Sequence, residues 1–124
     1  MLKYLVPYHH HLNLDQAVSF AVEILGKPFP ITPLRVQKFS TDWALGGPII
    51  EKEKICIEHM RGAGDAGMDV WVATMTFPDK KFGGLAFSEE QGSTALEAAM
   101  RAFAVSRLGN EVELPDEFVG AENA

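Results

Sequence analysis

Only one cysteine, Cys56, stands among the 124 residues. That excludes an intramolecular disulfide and agrees with a reducing compartment. No stretch reaches the roughly 18 consecutive apolar residues of a membrane span. The N-terminal run from Met1 to Val6 holds one lysine, meets Pro7, and continues into His9, His10 and His11. Such a continuation does not suit the apolar core and small-residue cleavage site of a signal peptide. A cytoplasmic protein without a membrane segment is expected. A basic surplus is missing too: 11 Lys+Arg stand against 17 Asp+Glu, a formal charge of −6. The electrostatic footprint of a nucleic-acid binder is therefore absent. The acidity is concentrated at one end. Residues 111–124 hold Glu111, Glu113, Asp116, Glu117 and Glu122 and no base, so the remaining chain is nearly neutral.

With 47% hydrophobic and 23% charged residues the composition is that of a globular domain. At this length a chain buries roughly two thirds of its unfolded surface, enough for one core without staples. The spacing predicts a first helix capped by Asn13, with Gln16 completing a capping box. Leu14, Ala17, Val18, Ala21, Val22 and Leu25 form its apolar face, Asp15, Gln16, Ser19 and Glu23 its polar face, and Gly26 its stop. Pro28, Pro30 and Pro33 make the next segment a stiff connector. Gly46-Gly47-Pro48 reads as a tight turn, feeding a short strand at Ile49 and Ile50. Lys54–His59 and Val70–Phe77 are rich in β-branched residues and read as a hairpin with a flexible glycine-rich tip; Gly84–Phe87 adds a further strand. A last helix opens with Thr94 and Glu97 as a capping pair, buries Leu96, Ala99, Met100 and Phe103, and closes at Arg107 and Gly109. The expected fold is α+β: a small antiparallel sheet of two to four strands packed with an N-terminal and a C-terminal helix. A flexible arm over 1–11, a single domain over 12–110 and a disordered acidic tail over 111–124 complete the organisation.

No catalytic set assembles from these residues. Gly62, Gly64 and Gly67 match the glycine spacing of dinucleotide-binding loops, but a strand follows where that chemistry needs a helix N-terminus. The histidine run cannot converge on one ion from an extended chain, and no His or Cys pair has zinc spacing, so no metal and no cofactor are expected. Cys56 and His59 would fall on opposite faces of a strand, which leaves Cys56 as a small, at least half-buried thiol. Glu51, Glu53 and Glu58 interleave with Lys52 and Lys54 as on a solvated strand edge. Trp43 lies outside any core periodicity; plugging the edge of the core is favoured over stacking on a partner.

Asp42-Trp43-Ala44-Leu45-Gly46-Gly47-Pro48-Ile49-Ile50-Glu51-Lys52-Glu53 resembles the central motif of the phage NinX-like family, a domain of unknown function. Ala98-Ala99-Met100-Arg101-Ala102-Phe103, then Ser106 and Leu108-Gly109-Asn110-Glu111-Val112-Glu113, matches downstream, and Leu14-Asp15 with Ala17-Val18 matches weakly upstream. Lys52 departs from a common Arg, and Gly92-Ser93-Thr94 from a common Gly-Pro-Thr. The resemblance implies a phage, prophage or related bacterial origin and brings no activity, cofactor or catalytic residue. Gly46, Gly47 and Pro48 have a structural reason in the expected turn. Asp42, Trp43, Glu51 and Arg101 do not. A buried ion pair of Arg101 with Glu51 or Asp42 is favoured over a ligand site. The expected function is a non-enzymatic accessory or interaction protein with an unknown protein partner, which calls for an exposed Trp43 beside a concave or apolar patch. The alternative is a small-molecule-binding domain or enzyme with Asp42, Glu51 and Arg101 around one pocket. A lower alternative is a binder of basic partners through the acidic tail. Neither partner identity nor oligomeric state is legible.

Overall fold

The computed structural model describes residues 2–5, 11–23, 36–79, 81, 83–109 and 111–114. In chain order they form β1 (Leu2–Leu5), α1 (His11–Glu23), α2 (Trp43–Glu53), β2 (Cys56–Met60), β3 (Val70–Pro78), β4 (Leu85–Gly92), α3 (Ala95–Leu108) and β5 (Glu111–Leu114). The fold is α+β, as its sequence predicts. The main sheet is antiparallel in the order β2-β3-β4, with Cys56 opposite Thr74 and Trp71 opposite Gly92.

The centre of the molecule is α3. Thr94 Oγ1 accepts the Glu97 N–H at 3.1 Å, the expected cap. Leu96, Ala99, Met100 and Phe103 are buried as the helical period requires, and so are Ala98, Ala102 and Ala104. A helix buried over so wide an arc must be covered on several sides. It contacts all three strands of the main sheet and both other helices. Its alanines permit close approach. A Cβ on Gly92 would lie 2.5 Å from the Ala98 nitrogen and 2.9 Å from its Cα, so the end of β4 runs almost against the helix backbone.

The Gly-Gly-Pro segment is helix, not turn and strand. Asp42 Oδ1 caps α2 by accepting the Ala44 N–H at 2.9 Å, and Lys54 ends the helix in the left-handed conformation. Pro48 sits inside it. A proline there removes a bond to the carbonyl four residues earlier, which belongs to the exposed Ala44 and is open to water. Gly46 is needed for proximity. Its missing Cβ would lie 2.5 Å from Leu96 Cδ1 and 2.7 Å from the Phe39 carbonyl oxygen. Ile49 and Ile50 pack against the core from this helix, and Glu51 and Glu53 lie on it, away from any strand edge.

The first helix begins at His11, so Asn13 lies inside it. Leu14, Ala17 and Val18 are buried as expected. Asp15, Gln16 and Ser19 are buried as well, although the amphipathic period places them toward solvent. The reason is a second layer. Residues 36–41 pass over this face, where Asp15 Oδ1 accepts the Ser40 N–H at 2.8 Å and Ser19 Oγ accepts the Gln37 N–H at 3.0 Å. Both side chains satisfy backbone donors that would otherwise be stranded. Gln16 Oε1 is buried without a hydrogen-bond partner. The expected stop at Gly26 and the proline connector lie outside the described residues.

A second, two-stranded sheet joins segments distant in sequence. Residues Leu2–Leu5 pair antiparallel with Glu111–Leu114, so the strand ladder continues past 110 into the stretch read as tail, and the segment read as an arm is its partner. Residues 115–124 lie outside the described residues.

Candidate functional site

Among the described residues the main sheet is covered on one face only, by α3. Strand alternation sends Trp71, Ala73, Met75 and Phe77 of β3 toward α3, and Val70, Val72, Thr74 and Thr76 to the other side. On that open side β2 presents Cys56, Glu58 and Met60. Cys56 is exposed, not half-buried, because it lies on an edge strand whose outward positions meet no second layer among the described residues. His59 falls on the covered side, where its ring packs against Trp71 at 4.8 Å between centroids, and its Nε2 lies 3.6 Å from Asp69 Oδ2.

β4 has an inverted orientation. It turns its small and polar residues inward: Ser88 is buried, and its hydroxyl donates to the Ala102 carbonyl at 2.9 Å. It turns its largest side chains outward, with Phe87 66% and Leu85 75% exposed. Close packing explains the choice of face. Where Gly92 approaches Ala98 there is no room for a side chain, and Ala86 and Ser88 are the small groups that β4 turns to the same side. Because side chains alternate strictly, that register commits Phe87 and Leu85 to the open face.

At the end of the sheet where β3 begins, the 61–69 connection forms a rim. It is held by hydrogen bonds from Gly64 N to the Met68 carbonyl (2.8 Å) and from Gly62 N to Asp69 Oδ1 (3.0 Å). The glycine pattern therefore shapes a hairpin tip followed by a strand, as expected. Between this rim and the end of β4 lies a cleft of about 580 Å³, whose lining includes Asp65, Asp69, Glu89, Glu90, Glu97 and Arg101. Arg101 Nη1 pairs with Glu97 Oε1 at 2.7 Å and donates to the Gln91 carbonyl at 2.8 Å, while the Ser93 hydroxyl donates to Glu97 Oε2 at 2.9 Å. Burial pushes the Glu90 carboxyl above the usual carboxylate range; Glu89 adds to the shift and Arg101 opposes it.

The residues singled out from the sequence do not gather here. Arg101 lines the cleft; Asp42 and Glu51 do not. The ion pair of Arg101 is made with Glu97, one turn earlier on its own helix, and not with Asp42 or Glu51. Asp42 is occupied as a helix cap, Glu51 and Pro48 are exposed on α2, Gly46 serves its packing, and a Cβ on Gly47 would meet only the Trp43 ring at 4.0 Å. Trp43 is no core plug. It is the first residue of α2, 56% exposed, beside a shallow groove lined by Ser40, Thr41, Thr94 and Leu96.

A family model described as bacteriophage P22 NinX matches residues 34–107. The chain belongs to the phage NinX family. The match runs from the segment that covers α1 through α2, the main sheet and α3, so the NinX-family domain includes both the capped Gly-Gly-Pro helix and the sheet with its open face. No curated protein matches the chain. No group of three or more His, Cys, Asp or Glu side chains among the described residues is placed to hold a metal ion. No described helix is long and apolar enough to cross a membrane.

The residues the sequence reading passes over are Leu85, Phe87, Met60 and Met68. The signal was available in Leu85-Ala86-Phe87-Ser88: if Ser88 faces the helix, both large side chains must face away.

Proposed function

We propose that this NinX-family chain is a non-enzymatic phage accessory protein that acts by holding another protein on the open face of its main sheet. The observation that carries the reading is the orientation of β4. An antiparallel sheet with one solvated face ordinarily presents polar residues there. Here Phe87 and Leu85 occupy that face at 66% and 75% exposure, opposite Thr76 and Pro78 of β3, with Val72 and Met60 on the same face toward its other end. Large exposed apolar side chains grouped on one surface are the usual mark of an interaction site. The exposed Trp43 is a second aromatic contact on the helical side of the molecule. The dispersal of Asp42 and Glu51 away from Arg101 removes the motivation for an enzyme built on those three.

The test is a photo-crosslinking side chain placed at Gln91, on the open face, or at Lys38, exposed on the segment that covers α1. In phage-infected cells, irradiation is expected to give a discrete protein adduct from Gln91 and none from Lys38. Absence of an adduct at Gln91, or equal adducts at both positions, overturns the reading.

A further inference from the structure

Resting on that reading, we infer that the occupant of the open face is a single basic amphipathic helix contributed by another protein. Three observations define it: the width of the face, the sign of its charge and the way its other side is covered.

Three strands spaced about 4.8 Å apart put the outer two roughly 10 Å from each other. That is the diameter of one α-helix with its side chains. The longest strand, β3, has nine residues, which at about 3.3 Å per residue accommodates a helix of roughly 18 residues. The opposite face is already covered in this manner by α3, with an apolar stripe laid across all three strands. A second helix on the side that no described element covers would complete a helix–sheet–helix sandwich.

Charge then selects the helix. β2, β3 and β4 contain no lysine or arginine; Glu58 and Glu89 are the charged residues on the open face, and Glu90 is turned toward α3. Asp65 and Asp69 add carboxylates on the rim of the adjoining cleft, where Arg101 is paired with Glu97. Among the described residues the cations nearest in sequence, Lys54, Arg61 and Lys81, lie beyond the strand ends. Apolar side chains bordered by carboxylates are complementary to an apolar stripe flanked by Lys or Arg. The same charges argue against a second copy of this chain, which would bring Glu58 and Glu89 against like charges.

The test uses the full chain and three synthetic peptides of about 18 residues. The first repeats leucine at helical spacing with lysine between; the second replaces lysine with glutamate; the third has the composition of the first, shuffled out of helical spacing. Binding is read by fluorescence anisotropy and by amide chemical-shift changes. The leucine–lysine helix is expected to bind with shifts centred on Val72, Phe87 and Gln91, and both other peptides about tenfold or more weakly. F87S removes a large apolar contact at an exposed position and is expected to weaken binding about tenfold; L85S is the parallel variant. E89Q is expected to weaken it about two- to fivefold, the range of a single exposed ion pair. A44K, with the same change in net charge on α2, is expected to leave it unchanged. The inference is overturned if the lysine peptide does not bind, if the glutamate or shuffled peptide binds equally, if the shifts lie elsewhere, or if A44K matches E89Q. It is also overturned if sedimentation shows a dimer that F87S dissociates. A crosslinked protein at Gln91 with no discrimination among the peptides leaves the proposed function standing and removes this inference alone.

Discussion

Gly46 and Leu96 meet at a distance that admits no side chain. A Cβ on Gly46 would lie 2.5 Å from Leu96 Cδ1, and 2.7 Å from the carbonyl oxygen of Phe39 behind it. Leucine could rotate aside, but the carbonyl belongs to backbone. Gly47, one residue on, has only the Trp43 ring at 4.0 Å from the same construction. Two adjacent glycines in one helix therefore have different meanings. G46A is expected to destabilise the protein by about 1–3 kcal/mol through overpacking. G47A is expected to change stability by about 1 kcal/mol or less, because the better helix propensity of alanine is offset by crowding of its Cβ against the Pro48 ring that follows. Urea unfolding of the two variants checks the contrast; equal effects would contradict it.

The polar face of α1 should behave as core. D15A removes the acceptor for the Ser40 N–H, a buried donor, and is expected to cost about 1–3 kcal/mol. D15N retains an acceptor oxygen and should cost less. The midpoint of urea unfolding orders the three proteins. Equal midpoints for D15A and the unsubstituted chain would show that the contact contributes nothing.

Arg101 ties α3 to β4 through the Gln91 carbonyl and pairs with Glu97 one turn earlier on its own helix. R101M removes the cation beside a Glu97 side chain that is only 7% exposed, and a loss of about 3 kcal/mol is expected. The double variant E97Q/R101M should recover part of that loss, since it removes the charge left behind. A double-mutant cycle by thermal or urea unfolding measures the coupling.

Glu90 sets a pH dependence. Its folded carboxyl titrates above the unfolded one, chiefly because it is buried. Between the two pKa values the native state binds more protons than the unfolded state, so stability falls as pH rises through that window. E90Q is expected to be more stable than the unsubstituted protein at pH 7, and the advantage should disappear once the pH is below the ordinary carboxylate range. Unfolding midpoints of both proteins across that range test the sign.

Much of the architecture is legible in the residues because local and tertiary demands agree there. Thr94, Glu97 and the buried stripe from Leu96 to Phe103 specify α3 with its cap, and the β-branched run from Val70 specifies β3. The reading fails where a residue serves a neighbour distant in sequence. Gly46 is glycine because of Leu96 and Phe39, so its local preference for a turn misleads. Asp15 and Ser19 obey the helical period, but the period cannot reveal that residues 36–41 cover the face they occupy. Cys56 is small and lies among isoleucines, yet strand parity turns it outward while Ile55 and Ile57 face the core. Trp43 follows a helix cap, Asp42, and that cap was readable. Taking it as the start of α2 would have put the indole at a helix end instead of a loop. Of the candidate residues, Arg101 alone reaches the cleft beside the open face.

The pairing of Leu2–Leu5 with Glu111–Leu114 has a consequence for biosynthesis. The residues of β1 leave the ribosome more than a hundred residues ahead of those of its strand partner. At ordinary translation speeds that is an interval of about 5–20 s. Throughout it β1 has an unsatisfied ladder, while the sheet and α3 can already collapse around contacts made within residues 34–107. The β1–β5 pairing therefore cannot form until Leu114 has been made, so only a molecule translated past that residue can join these two strands.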